Sequence, residues 1–225
     1  MPADNVFAGS VPELYETHLV PLIFQPYADD LKQRVASLNA SRILEIAAGT
    51  GVVTRALASL PSAPTTIVAT DLNQAMLDRA AMVGTGRPVT WRQADAMALP
   101  FPDGEFDAVV CQFGAMFFPD RAKAFAEARR VLRPGGRLVL CDMMFSLSLQ
   151  RRDRRLLLAK LRAIAARGPA GLLRIMRNAG RVANGTWERP APPETWLQIL
   201  RERHFADVRV QLLHQEAGLV TARRP

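Results

Sequence analysis

Residues 41–54, reading Ser-Arg-Ile-Leu-Glu-Ile-Ala-Ala-Gly-Thr-Gly-Val-Val-Thr, constrain this chain more than any other stretch. Ile43, Leu44 and Ile46 predict a short buried strand, with Glu45 near its carboxyl end. Ala47, Ala48, Gly49, Thr50 and Gly51 make a turn of small residues, and residues 52–60 continue with helical spacing. A strand, a small-residue turn and a helix form a corner where backbone approaches a ligand closely, because few side chains stand in the way. The dinucleotide-binding form of that corner has a third glycine where this chain has Thr54. It also seats a pyrophosphate on the helix N-terminus, beside which the acid at Glu45 is unfavourable. Negative charge there suits an ammonium or sulfonium group instead. The plainer alternative is a tight strand-to-helix turn in an α/β protein with some other ligand.

Downstream of the corner, strands and helices alternate. Residues 66–71 are rich in β-branched side chains and end on Asp71, and Asn73 is placed to cap a helix reaching about residue 83. Residues 89–95 predict a third strand ending on Asp95, and residues 106–113 a fourth. A helix over 121–132 follows, Pro134-Gly135-Gly136 breaks it, and residues 137–143 predict the fifth strand. This alternation predicts a doubly wound, mostly parallel sheet with helices on both faces. Pro192 and Pro193 open a helix to about residue 203, and residues 208–212 and 219–222, with a turn at Gly218, predict a closing hairpin. Ahead of the corner, Leu14, Leu19, Leu22, Ile23, Tyr27, Leu31, Val35 and Leu38 recur at roughly helical spacing. Pro21 and Pro26 interrupt them, which predicts two short helices with a bend between. The chain thus divides into a helical lid over 1–40, a core over 41–145, a helical insertion over 146–195, and a closing helix and strands over 196–225.

In a doubly wound sheet the carboxyl ends of the strands line one crevice, so Glu45, Asp71 and Asp95 should converge on it. A ribose requires acceptors for two hydroxyls, an adenine amine requires one more, and a cationic ligand favours negative surroundings. Asp71 lies 20 residues after Gly51, a spacing that dinucleotide enzymes share. The pattern Glu45-x-Ala47-x-Gly49-x-Gly51 resembles the glycine-rich motif of class I S-adenosylmethionine-dependent methyltransferases, whose usual form has glycine where Ala47 stands. Residues 95–101, Asp-Ala-Met-Ala-Leu-Pro-Phe, followed by Phe106-Asp107 and by Leu132-Arg133-Pro134-Gly135-Gly136, resemble runs of the methyltransferases related to ubiquinone and menaquinone biosynthesis. The four motifs fall in that group's order over residues 41–143.

The resemblance implies a Rossmann-like methyltransferase fold with a seven-stranded sheet, an N-terminal helical lid and a helical insertion before the last two strands. It implies S-adenosylmethionine as cofactor and S-adenosylhomocysteine as product. Glu45, Ala47, Gly49 and Gly51 would then shape the methionine side of the site, and Asp71 would accept from the ribose hydroxyls. Leu72 would pack on the adenine, Asp95 and Ala96 would address its edge, and Gln112 and Phe113 would lie below the methionine portion. An aromatic of the lid commonly closes over the cofactor in this group, which makes Tyr15 a candidate. Phe24 and Tyr27, with Met116 and Phe117 after the fourth strand, are candidates to wall the acceptor pocket, or equally to pack beneath the lid. In-line methyl transfer rests mainly on holding donor and acceptor in register, so no signature base is required. His18 and Glu16 are the best-placed bases where the acceptor must lose a proton.

No cysteine or histidine spacing suggests a metal site, and Cys111 and Cys141 sit in apolar runs as expected of buried thiols. No apolar run approaches the roughly 20 residues needed to cross a bilayer. The start, Met-Pro-Ala-Asp-Asn, lacks the basic and apolar regions of a signal peptide, so a cytoplasmic location is expected. Charge is uneven: residues 1–145 carry 13 basic and 15 acidic side chains, residues 146–225 carry 16 and 6. The arginine- and leucine-rich stretch 151–178 leaves two readings open, a helical insertion with solvated arginines or contact with an anionic membrane surface. Cys111-Gln-Phe-Gly-Ala-Met116 is not the Asn/Asp-Pro-Pro-aromatic run of enzymes that methylate nucleic-acid bases, which argues against a nucleic-acid partner. The expectation is methyl transfer from S-adenosylmethionine to a small, partly apolar molecule. The alternatives are a phospholipid-head-group or quinone-precursor methyltransferase at the membrane surface, and a protein that binds the cofactor without methylating.

Overall fold

Apolar runs buried on both faces set the centre of the fold. The computed structural model describes residues 24–61, 66–144, 190–213 and 217–225, together with Glu13, Glu16 and Val20. Its strands are β1 (Arg42–Ile46), β2 (Thr66–Asp71), β3 (Thr90–Gln93), β4 (Phe106–Gln112), β5 (Leu132–Met143), β6 (Ala206–Leu212) and β7 (Ala217–Arg223). They form one seven-stranded sheet in the order β3-β2-β1-β4-β5-β7-β6. β1 to β5 are mutually parallel, and β7 runs antiparallel to both of its neighbours. The expected doubly wound, mostly parallel sheet is therefore present, with its closing hairpin.

Side-chain alternation along the central strands feeds two cores. Leu44, Ile46, Val109, Leu138 and Leu140 face one layer, where α4 (Arg121–Val131) contributes Phe125 and Ala128 and α5 (Pro193–Glu202) contributes Trp196 and Leu200. Ile43, Ile67, Ala108, Val110 and Val139 face the other, covered by Leu31 and Val35 of α1 (Gln25–Ala36) and by Val53 and Leu57 of α2 (Val52–Ala58). Strands clothed on both faces read as nearly unbroken apolar runs, which is how β1, β2 and β4 look in sequence. α3 (Gln74–Val83) packs beside β2 and β3, capped as expected by the Asn73 side chain, which accepts from the Met76 N–H at 3.2 Å.

Four details depart from the sequence reading. Pro26 does not interrupt a helix but lies in the first turn of α1, where a missing N–H leaves no bond unmade. The third strand stops at Gln93, and Asp95 lies in the following turn, bridged to Ala98. The Pro134-Gly135-Gly136 segment ends α4 but already belongs to β5: Phe106 pairs with Leu132 while Ala108 pairs with Arg137, so the intervening residues bulge out. Gly218 lies within β7 rather than at a turn, because a Cβ there would meet the Met144 Sδ at 2.3 Å. Of the expected insertion over 146–195, residues 146–189 lie outside the described residues, the arginine- and leucine-rich stretch 151–178 among them. Among the described residues, no helix is long and apolar enough to cross a membrane.

Candidate active site

The strand order reverses between β1 and β4, and a crevice opens at such a switch point beyond the carboxyl ends of the strands. The backbone there is held in sparsely populated conformations. Ala47 and Phe113, one residue past β1 and β4 respectively, both have positive φ, at 54° and 52°. For residues with a Cβ each such conformation costs about 1–3 kcal/mol, and such outliers gather at functional sites. Gly114 makes room for the first of them: a Cβ on Gly114 would lie 2.4 Å from the Ala47 Cβ.

The glycines of the corner have different tasks. Gly49, at φ 57°, has nothing within 4 Å of where a Cβ would stand, so its backbone borders open space. Gly51, at φ 84°, opens α2 and faces Trp91 and Ala80, which a Cβ would approach to 2.9 and 3.1 Å. Its smallness serves the packing of α2 against β3 and α3. Asp71 ties the turn to β2, its Oδ2 accepting from the Gly49 N–H at 2.8 Å and its Oδ1 from the Asn73 N–H at 2.9 Å. Next to it Leu72 is half exposed. Gln93, which sequence reasoning missed, donates from Nε2 to the Leu72 carbonyl at 2.8 Å. Asp95 turns its Oδ1 back onto the Met97 N–H at 2.8 Å, and Ala96 is buried beside it.

Glu45 lies beneath the turn, 2% exposed, with its Oε2 accepting from the Thr54 hydroxyl at 2.6 Å. Burial pushes its pKa up to about 8, against smaller lowering effects of Thr54 and Arg55. Burial therefore favours the neutral carboxylic acid at Glu45 over the negative charge expected there. Thr54, the residue that breaks the dinucleotide pattern, is the partner of this acid. Asp142, at the end of β5, is a second buried carboxyl that the sequence reading overlooked. It accepts from the N–H groups of Met116 (3.1 Å) and Met143 (2.7 Å), and burial raises its pKa to about 7.

The acceptor-side candidates gather at the end of β4. Phe113 is packed by Phe24 at 5.3 Å and by Tyr27 edge-on at 5.1 Å. Gln112 donates from Nε2 to the Phe24 carbonyl at 3.1 Å, while its Oε1 is buried without a hydrogen-bond partner. Met116 is buried and Phe117 is exposed, both in a 3₁₀ turn whose Ala115 carbonyl accepts from Arg121 Nε at 3.1 Å. Glu16 pairs with Arg55 at 2.5 Å, and Arg55 also donates to the Thr50 carbonyl at 2.7 Å, so this carboxylate is tied to α2. Tyr15 and His18 lie outside the described residues. Among the described residues, no group of three or more His, Cys, Asp or Glu is placed to hold a metal ion.

Sheet order and crevice together define a Rossmann-like methyltransferase fold. Residues 44–140 match the family model of a methyltransferase domain, which covers less than half of the chain. Over 106 residues the chain is 41% identical to a ubiquinone/menaquinone biosynthesis C-methyltransferase of Ectopseudomonas mendocina, spanning 45% of this chain and 41% of that protein. Over 110 residues it is 42% identical to a demethylmenaquinone methyltransferase of Clavibacter sepedonicus, spanning 48% and 43%. The chain thus spans about two fifths of the length of these curated relatives. A solved S-adenosylmethionine-dependent methyltransferase from Mesorhizobium loti superposes with a TM-score of 0.61 at 18% identity, over 87% of this chain and 96% of that one. A second, from Methanosarcina mazei, gives 0.59 at 20% identity, over 81% and 92%. Over residues 44–140 the chain is thus similar to methyltransferase domains, on a fold shared with solved S-adenosylmethionine-dependent methyltransferases.

Proposed function

We propose that this chain transfers a methyl group from S-adenosylmethionine to a small, partly apolar acceptor. The observation that carries the reading is the corner itself, where Gly49 borders open space and Asp71 is fixed at its edge by two backbone N–H groups. Asp71 accepts from the ribose hydroxyls, Leu72 offers an apolar shelf to the adenine, and Asp95 and Ala96 address the adenine edge through carboxylate and backbone. Ala47, Gly49 and Gly51 shape the methionine side, with Glu45 below them and Gln112 and Phe113 beneath. S-adenosylmethionine, when bound, supplies an electrophilic methyl group on a sulfonium centre. The chain's own contribution is orientation and exclusion of water, with Phe24, Tyr27, Met116 and Phe117 walling the acceptor side. A base is needed only for an acceptor that carries a proton; His18 takes that role ahead of Glu16, whose carboxylate is paired with Arg55.

A quinone precursor is the more specific acceptor reading, and the names of the two curated relatives favour it. Their identity to this chain, however, spans less than half of it, and a shared cofactor site does not fix the acceptor. The test is transfer of labelled methyl to a panel of small phenols, amines and demethylated quinones, with and without anionic vesicles. Labelled product lost in Asp71→Ala is expected, and vesicle-dependent, salt-sensitive transfer to the quinones would select the second reading. Tight cofactor binding with no labelled product across the panel would favour a chain that binds the cofactor without methylating.

A further inference from the structure

The segment joining β3 to β4 contains Leu99-Pro100-Phe101-Pro102. Neither proline has an N–H to give, and each bars the residue before it from helical backbone. Leu99 is nevertheless buried, so its peptide groups need partners from elsewhere. They come from one helix. Glu127 of α4 accepts from the Leu99 N–H through Oε2 at 2.9 Å. Arg130, one turn on, donates from Nη2 to the Leu99 carbonyl and from Nη1 to the Phe101 carbonyl, both at 2.8 Å. Its remaining donors go to Glu127, from Nε at 2.9 Å and Nη2 at 2.8 Å, and to Asp103 Oδ1 at 2.8 Å. All five N–H groups of the guanidinium are thereby used, three of them on this segment. The pairing with Arg130 also holds the Glu127 carboxyl below the usual carboxylate range.

The same segment carries Asp95 and Ala96, and the Asp95–Ala98 turn ends one residue before Leu99. We propose that Glu127 and Arg130 are positioning residues for the cofactor: gripping both sides of the Leu99 peptide, they set where the 95–98 turn stands against the adenine subsite. The inference rests on the methyltransferase reading above. Lysine at position 130 keeps the charge but cannot span two carbonyls, and glutamine at 127 keeps an acceptor for Leu99 but loses the ion pair.

The experiment is calorimetric titration of the full chain with S-adenosylhomocysteine and with methylthioadenosine, which has the adenine, ribose and sulfur but no amino-acid moiety. Arg130→Lys is expected to weaken both ligands by the same factor, about tenfold, and Glu127→Gln to weaken both in the same direction. Arg133→Ala, which removes an ion pair to Asp107 at the opposite end of the sheet, is expected to lower the unfolding midpoint and leave both affinities unchanged. Arg130→Lys and Glu127→Gln proteins that bind both ligands as the wild type does, whatever their midpoints, would overturn the positioning role. So would loss of S-adenosylhomocysteine binding with methylthioadenosine unaffected, since the adenine side would then be intact. If Arg130→Lys does not fold, Glu127→Gln carries the test alone. A wild-type chain that binds neither ligand would overturn the methyltransferase reading itself, and this role with it.

Discussion

Ala47 and Gly114 form a pair whose energetics separate backbone strain from side-chain space. Ala47 keeps a left-handed backbone at about 1–2 kcal/mol relative to glycine, and its Cβ fills the space that a Cβ on Gly114 would need. Gly114→Ala should destabilise by about 1–3 kcal/mol through that overlap. Ala47→Gly alone should be nearly neutral, because relief of strain is offset by the entropy of an added glycine. Combined, the two should recover most of the loss, leaving only the tight contact to Cys111 Sγ at 3.2 Å. Additive losses in urea unfolding would show that the overlap is not the cause. Glu45 permits a pH test. Its pKa is raised from 4.5 to about 8, chiefly by burial, so the folded state binds its proton more tightly than the unfolded state. Stability from this group is full below about pH 4.5 and is lost as pH rises through 8; Asp142, raised from 3.8 to about 7, acts in the same direction. The urea midpoint of the wild type should therefore fall between pH 5 and 8, and Glu45→Gln, which keeps an acceptor for Thr54, should fall less. A Glu45→Gln protein with the wild-type slope would refute this assignment.

At the scale of elements, α5 shows how a helix away from the proposed cofactor side anchors the fold. Trp196 is fully buried, donates to the Ala191 carbonyl at 3.0 Å, packs on Phe125 at 6.0 Å and lies under the Arg121 guanidinium at 5.1 Å. Trp196→Ala should cost about 3–5 kcal/mol of unfolding free energy. Affinity for S-adenosylhomocysteine measured on the folded fraction should stay within about twofold, and a parallel fall in affinity would tie α5 to the cofactor side. Elements of this kind were legible in sequence where an apolar run met a sharp boundary, as with β2 between residue 66 and Asp71, or α3 behind Asn73. They were less legible where one residue type serves two ends. Glycine signals a turn, yet Gly218 lies within β7, next to its first residue, where Met144 occupies the space a Cβ would need. Asp95 reads as a strand terminus in sequence, yet it is a turn residue past the end of β3 whose own side chain takes the Met97 N–H.

Across the whole molecule, the parallel order of β1, β2 and β3 puts residue 45 near the end of β1, residue 71 at the end of β2 and residue 95 in the turn after β3, all toward the carboxyl edge of the sheet. Partnerships between distant segments were beyond the sequence. Nothing local says that Arg130 will meet Leu99, that Asp142 will accept from Met116, or that Thr54 will turn toward Glu45. The acceptor side is the least legible part, because its proposed walls draw on Phe24 and Tyr27 of one segment and Met116 and Phe117 of another, with Tyr15, His18 and residues 151–178 outside the described residues. Titration of the chain and its Asp71→Ala variant with S-adenosylmethionine and S-adenosylhomocysteine in a calorimeter decides whether the corner between Gly49 and Asp71 holds this cofactor. Micromolar binding of both ligands by the wild type, lost or weakened at least tenfold in the variant, is the predicted result, a tenfold loss being about 1.4 kcal/mol. Absence of binding, or binding of a nicotinamide dinucleotide in their place, would contradict it.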